Sequence, residues 1–573
     1  MKETAKLFVA FAAASMMFSC SDEPANNGGN EAAEGDFHAT LALSLPVSGR
    51  SATDNPGGNP AQSTDGFEYG QDYENNVQDI VVVLAEKEAS GSYKWLACSG
   101  RSNASEVNNG DNGAAGKPNP LYRIKFSTDQ LINAAEKEVY IFAYCNPSEA
   151  LVTECMASTW NPATSEGNIA SNPIWTNNKF LMTNALESHI TLPSYENLKQ
   201  NYNTESNPFN LGVVKVERAA ARFDFAETTV EGQDIPNRYP IVDYVNIVEY
   251  DKEGNIIDKE GNTKEVVIGY ANIDAMALFN QPQEFYNIPR VAADDNGAAS
   301  ATFTLMGQET PVNWVVSPAT KTWNFPLKDA ANNSFDYTLI STLNKDDNPD
   351  NWDNGNKTSY KIWTYTTENT LPSKGAQMSW ATTGVKFRAW IEAVETADKN
   401  SVLEVALASQ KPIYSYEGVM YGNLDQLKVY VKTRPQSAVA NAFYTTWNLT
   451  TTGVDFTNAE QVAALVDPVT TDLTTSEGTP FNMYKYDTEA GKYYMYYTYY
   501  NRHNDNYTAA EMGIMEFATV RNNVYKLNVS NVYSWGEAGD KHTPDVPDED
   551  PKVYFRVQCE VLPWVVRVNS IIL

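Results

Sequence analysis

The sequence predicts an all-β protein, and three observations carry that expectation. Charged residues make up only 20% of the chain while aromatics reach 12%, a balance that suits exported sheets better than a helical cytosolic protein. Short runs either alternate apolar with polar residues or are continuously apolar and β-branched. Runs with helical periodicity are few.

Residues 1–20 read as a lipoprotein signal peptide. Lys2 and Lys6 supply positive charge, and Leu7 to Phe18 form an apolar stretch too short to span a bilayer. Ser19 is the small residue expected before a lipidated cysteine, which makes Cys20 the attachment point. The alternative is an ordinary secretory signal with a chance cysteine. Asp22 and Glu23 fit an acidic export tag. No later run is apolar enough for a transmembrane helix, so membrane contact is expected through lipid alone.

Residues 21–50 read as a propeptide that carries a removable first strand. Phe37, Ala39, Leu41, Leu43, Leu45 and Val47 alternate with other residues and share one face. Arg50 follows as a basic cleavage point, so Ser51 becomes the first residue of the mature chain. Losing a core strand would leave an apolar groove with two rows of unpaired backbone groups.

Residues 51–76 form a Gly-, Asn-, Asp- and Ser-rich lead-in. Strands are expected at 79–84, 122–126, 139–144 and 213–225, the last with Lys215, Glu217 and Arg222 on a polar face. Thr128 to Ala135 reads as a short helix. A polar gap at 228–237 separates an N-terminal domain, 51–229, from a C-terminal one, 230–538. In the second half, 241–250, 385–391, 427–431, 493–500 and 520–532 read as strands, with turn sequences at 251–255 and 258–262. The tyrosine-dense 493–500 run is an aromatic sheet face or a sugar-stacking platform. Residues 539–551 hold three prolines and five acids, and read as a self-repelling linker.

The last segment, 552–573, is strongly β-forming. Trp564, Val566, Val568 and Ile572 share one face, and with Val561 they form a candidate donor strand. A strand of ten residues runs about 33 Å, enough to fill the groove left by residues 37–47.

Composition narrows the function. A formal net charge of −30 argues against nucleic acid or an anionic membrane surface as partner. Zinc-protease, nucleophile-elbow, Walker and paired CxxC motifs are missing, and with four histidines little imidazole chemistry is available. No enzyme activity, cofactor or metal site is expected. The run 346–355 lacks EF-hand spacing because Trp352 falls where a ligand is needed. Cys98 and Cys559 read as buried thiols, and Cys145 and Cys155 are close enough in sequence to pair.

Five stretches together resemble the fimbrillins of Bacteroidales-type pili, most nearly the shaft pilins of minor (short) fimbria. They are the Cys20 lipobox, the strand ending at Arg50, the run Val214-Lys215-Val216-Glu217-Arg218-Ala219-Ala220-Ala221-Arg222, the run Val520-Arg521-Asn522-Asn523-Val524-Tyr525-Lys526-Leu527 and the ending Val561-Leu562-Pro563-Trp564. Residues 240–510 resemble the family only in style. The resemblance implies two transthyretin-like or Greek-key β-sandwich domains plus C-terminal donor strands. It implies export through the outer membrane as a lipoprotein precursor, processing by a lipoprotein signal peptidase and cleavage at Arg50 by an arginine-specific protease. It also implies an extracellular homopolymer built by strand exchange, with accessory anchor and tip subunits and host or bacterial surface ligands. The rival readings are a surface lipoprotein that binds glycans or host proteins without polymerising, and a carbohydrate-active enzyme on a β-sandwich.

Overall fold

The computed structural model describes residues 35–44, 68–103, 121–246, 249–250, 256–257, 263–307, 314–343, 360–371, 381–395, 401–503, 515–539 and 555–565, with a few short gaps inside these ranges. The chain is all-β, with short helices between strands.

The first part supplies β1 (Asp36–Ser44), β2 (Glu68–Tyr69), the one-turn helix α1 (Asp72–Asn75), β3 (Asp79–Lys87), β4 (Tyr93–Cys98), β5 (Leu121–Ser127), β6 (Glu138–Cys145), β7 (Met182–Asn184) and β8 (Phe209–Arg218). Seven of these strands form one sheet in the order β4-β3-β6-β7-β8-β1-β5. β3 is buried from Asp79 to Ala85 and β6 from Ile141 to Cys145, as their β-branched and aromatic runs predict for central strands. Leu131, Leu151, Val152 and Cys155 join the same core from a 3-10 turn (Thr128–Asn133) and a helix (Glu149–Met156). The expected short helix after residue 127 is thus present as a 3-10 turn. Cys98, Cys145 and Cys155 are free, buried thiols, so Cys145 and Cys155 do not pair. Burial raises all three, Cys98 to about 11.

The second part supplies β9 (Ala220–Phe225), β10 (Arg238–Asn246), β11 (Thr263–Phe279), β12 (Lys361–Thr367), β13 (Gly384–Ala393), β14 (Lys492–Tyr500), β15 (Asn523–Val532) and β16 (Phe555–Val565). One sheet runs β2-β16-β15-β9-β12, and the other β10-β11-β13-β14. Their inner faces meet in one core. Phe223, Phe225, Tyr525, Leu527 and Val529 come from the first sheet; Phe387, Ala389, Ile391, Tyr493, Met495 and Tyr497 come from the second. Each set is spaced by two residues, the strand period. The tyrosines of β14 therefore divide by parity: Tyr493 and Tyr497 enter the core, while Tyr494 lies under the Arg388 guanidinium at 4.4 Å.

Two readings are corrected. Residues 427–431 are not a strand; they lie in a helix, Leu424–Thr433. Asn423 and Gln426 close a capping box at its start. Leu424, Leu427 and Val431 are its buried residues, at helical spacing, while Val429 is 57% exposed. This helix belongs to an insert between β13 and β14 that has its own core. The insert adds helices Val402–Ser409, Ala438–Thr446 and Ala459–Val466 and a three-stranded sheet. The second correction concerns 213–225. It is two strands rather than one, with β8 in the first sheet and β9 in the second, and the cores change over between Ala220 and Ala221. Lys215 is exposed, but Glu217 and Arg222 are wholly buried.

Arg222 is buried because it has partners at the crossover. Its guanidinium grips Asp224 through two bonds of 2.8 Å and reaches Glu74 of α1 at 3.0 Å. Tyr365 of β12 donates to the other Glu74 oxygen at 2.6 Å. Arg218 donates to the Glu74 carbonyl at 3.1 Å, to Asn522 at 3.0 Å and to Asn75. Replacing Arg222 by Ala strands two buried carboxylates. Denaturant unfolding of Arg222→Ala should show a loss of about 3–5 kcal/mol; a loss within the range of an ordinary surface substitution would contradict this account of the crossover.

Candidate assembly site

β1 is interior to its sheet and saturated on both edges. It pairs antiparallel with β5, from Asp36 opposite Ser127 to Ala42 opposite Leu121. It pairs parallel with β8, from Ala39 opposite Phe209 to Ser44 opposite Lys215, with a bulge between Thr40 and Ala42. At its start, the Gly35 carbonyl accepts from the Thr128 hydroxyl at 2.6 Å and the Thr128 N–H at 2.9 Å. The His38 N–H donates to the Tyr202 carbonyl at 2.8 Å.

Alternation decides what β1 buries. Phe37, Ala39, Leu41 and Leu43 are all in the core. Phe37 packs its ring 6.1 Å from both Phe126 and Phe209 and 6.4 Å from Tyr202. Three large side chains at ~1.5–3 kcal/mol each give roughly 5–9 kcal/mol of apolar burial. Leu45 and Val47 lie outside the described residues.

The topology makes this strand separable. β1 is the first described strand, so it can leave without drawing another described strand with it. On the sheet's main path β5 is joined to β8 only through β1. With strands about 4.8 Å apart, removing β1 opens a slot about 10 Å across between β8 and β5. The β5 edge and the β8 edge would both present unpaired N–H and C=O groups. A replacement must carry apolar residues at every second position to refill the core.

The other end of the chain is engaged within its own subunit. β16 runs antiparallel to β15, from Phe555 opposite Val532 to Pro563 opposite Asn523, and so places Val561 opposite Tyr525. On its other side β2 pairs with it in parallel, Glu68 opposite Trp564 and Tyr69 opposite Val565. β2 continues into α1, whose Glu74 is the carboxylate buried against Arg222. Cys20, Arg50, Ser51, Val566, Val568 and Ile572 lie outside the described residues, as do the turns at 251–255 and 258–262, the run 346–355 and the linker from residue 540 on. Among the described residues no group of three or more His, Cys, Asp or Glu side chains could hold a metal, and no helix is long and apolar enough to cross a membrane.

Residues 491–570 match the family model described as "Major fimbrial subunit protein type IV, Fimbrillin, C-terminal". The C-terminal part of the chain is of fimbrillin type. This fimbrillin-type segment comprises β14, β15 and β16, the strands that frame the C-terminal hairpin. Solved structures with some likeness include the tip fimbrial protein Mfa3 from Porphyromonas gingivalis with C-terminal truncation, at 10% identity over 92% of this chain and 100% of that one, TM-score 0.28. A fimbrilin (fimA) from Porphyromonas gingivalis W83 is 11% identical over 92% and 98%, TM-score 0.35. A putative cell adhesion protein from Parabacteroides distasonis is 8% identical over 93% and 100%, TM-score 0.36. At such TM-scores these likenesses add nothing to the fimbrillin-type match. No curated protein sequence matches the chain.

Sequence reasoning missed the pairing of β2 with β16. Glu68-Tyr69 is too short to show a strand period, and nothing local marks a partner so far away in sequence. The packing of β1 can be tested directly. In the uncleaved chain, Leu41→Ala should lower stability by about 2–5 kcal/mol, the range for a buried leucine truncated in a packed core. Chain cleaved after residue 50 and freed of β1 should be indifferent to the same substitution, as read by denaturant unfolding of the two forms.

Proposed function

We propose that this chain is a structural shaft subunit of a surface fimbrium that polymerises by protease-triggered strand exchange and supports adhesion and biofilm formation. The supporting observation is the position of β1. It is an interior, doubly paired, apolar strand, yet it comes first among the described strands and lies just ahead of Arg50. The proposed precursor is lipidated at Cys20 and carried to the outer membrane, with mature protein beginning at Ser51. Domains 51–229 and 230–538 would form its body, 539–551 its linker and 552–573 its donor region.

Loss of β1 on this scheme leaves the β5–β8 slot. Strand addition refills it, restoring ladder hydrogen bonds and burying alternate side chains. Trp564, Val566, Val568 and Ile572, with Val561 ahead of them, are the proposed donor residues. Trp564 and Val561 must first leave β2 and β15. Residues 566–573 are the proposed leading end. A contact between the slot of one subunit and the tail of the next does not close on itself, so it propagates a fibre. The work is structural and needs no catalytic group or cofactor. Accessory anchor and tip subunits, and the surface ligands of the fibre, would complete the assembly.

Arg50→Ala should abolish the high-mass ladder seen when surface material is run unboiled on denaturing gels, and N-terminal sequencing of wild-type fibres should begin at Ser51. A normal ladder from the variant would sink the proposal. Truncation after residue 565 should leave export and cleavage intact but yield monomer, and polymer from that truncated chain would remove the tail from the donor role.

A further inference from the structure

One lysine of the second half directs its amine onto a side-chain amide. Lys321 sits on the loop between the short strands Trp314–Val315 and Trp323–Asn324. Its stem is partly exposed, but its amine is enclosed. The amine donates to Asn369 Oδ1 at 2.7 Å and to the Thr370 carbonyl at 2.5 Å.

Asn369 is held still. It is 1% exposed. Its backbone N–H and C=O exchange hydrogen bonds with Thr519, each 2.7 Å. Its side-chain Nδ2 donates to the Ala381 carbonyl at 2.8 Å and to Thr383 Oγ1 at 2.9 Å. With both amide hydrogens placed, Oδ1 is the atom that faces the lysine, so the partners themselves fix which way the amide points. Thr370, next in the chain, is pinned to Ser317 on the lysine's own loop by three hydrogen bonds of 2.8 to 3.2 Å. Glu368, on the other side, is buried too. It accepts from Arg521 at 3.1 Å through one oxygen, while its Oε1 has no hydrogen-bond partner.

We propose that Lys321 and Asn369 become joined by an intramolecular isopeptide bond, made by the folded chain itself with loss of ammonia. The Nζ lone pair adds to Cγ of Asn369, and an N–C bond forms. The Cγ–Nδ2 bond then breaks, and the proton given up by the amine leaves on the departing nitrogen, carried by the neighbouring Glu368 carboxyl. The products are a secondary amide and one ammonia, so no oxidant, reductant or second substrate is needed.

The surroundings suit each part. Burial lowers the Lys321 amine to about 7 against the opposing influence of Glu368, so a large share is uncharged and nucleophilic at neutral pH. Burial also raises the Glu368 carboxyl in spite of Arg521, which lets it hold and pass on a proton. The reacting groups are preorganised by the fold, which removes the entropic cost of bringing them together. This inference stands on the contacts among Lys321, Glu368, Asn369 and Thr370 alone and does not need the strand-exchange reading.

The test is peptide mapping of the purified full chain, denatured and cut with trypsin. The proposal expects residues 291–328 and 362–374 in one branched peptide, with trypsin unable to cut at Lys321 and a mass lower by one ammonia than the two segments together. Recovery of 291–321 and 362–374 as separate peptides overturns it. Separate peptides with the asparagine one deficient in ammonia also overturn it, because that is a succinimide. Lys321→Arg keeps the charge and should lose the branched peptide and lower the thermal midpoint. Glu368→Gln keeps the shape and should lose most of the branched peptide while remaining folded; full yield from it would remove the carboxyl from the proton's path.

Discussion

The arrangement depends on burying charge where the two cores meet. Arg218 and Arg222 are wholly enclosed at the crossover from β8 to β9, and Arg521 is enclosed close by in the chain segment that leads into β15. An enclosed guanidinium is tolerable only when its donors are answered. Arg222 is answered by Asp224 and Glu74 and Arg218 by Glu74, Asn75 and Asn522, while Arg521 is answered in part, by Glu368 and the Tyr286 carbonyl, with its Nη1 left without a partner among the described residues. Burial still lowers Arg218 to about 10. The partners come from chain segments far apart in sequence, so the network can close only when α1, β9, β12 and the start of β15 are all in place.

That dependence links the two ends of the subunit. α1 is anchored by Glu74 and is preceded by β2, which pairs with the C-terminal strand β16. The segment shortly after Arg50 thus touches the strand shortly before the proposed donor tail. β1, by contrast, contributes nothing to the charge network; its ties are the ladders to β5 and β8 and a row of apolar side chains. Two strands of the same chain are therefore held by different physics. One is held by burial that a replacement strand can reproduce, and the other by a sheet edge tied to an ionic lock that no replacement reproduces.

Strand period was legible in the sequence wherever a strand had one face in a core. Phe37-x-Ala39-x-Leu41-x-Leu43 identified the buried face of β1, and the continuous run 79–84 identified an interior strand. Alternation tells which residues share a face but not what covers that face. Arg222 looked solvated for this reason, when Glu74, the carboxylate that meets it, lies far away in sequence. The helix at 424–433 was missed because Leu427, Val429 and Val431 happen to alternate. Its local signals were the Asn423–Gln426 capping box and the spacing Leu424, Leu427, Val431. The stretches that carried the family resemblance, 214–222 and 520–527, proved to be neighbours: Arg218 bonds Asn522, and Arg222 sits opposite Val524 in the parallel pair of β9 with β15. They mark the crossover between cores rather than the slot left by β1.

A fibre built by strand exchange loads each subunit from its C-terminal strand. In this chain β16 lies against β15 in an antiparallel ladder from Phe555 opposite Val532 to Pro563 opposite Asn523. The segment that enters β15 is held in turn by Thr519 against Asn369 and by Arg521 against Glu368. Both holds are hydrogen-bonded contacts, and both end on the short run 368–370. Lys321 grips the same run through Asn369 Oδ1 and the Thr370 carbonyl. A covalent bond from Lys321 to Asn369 would therefore fix the piece of backbone that holds both Thr519 and Arg521 ahead of β15.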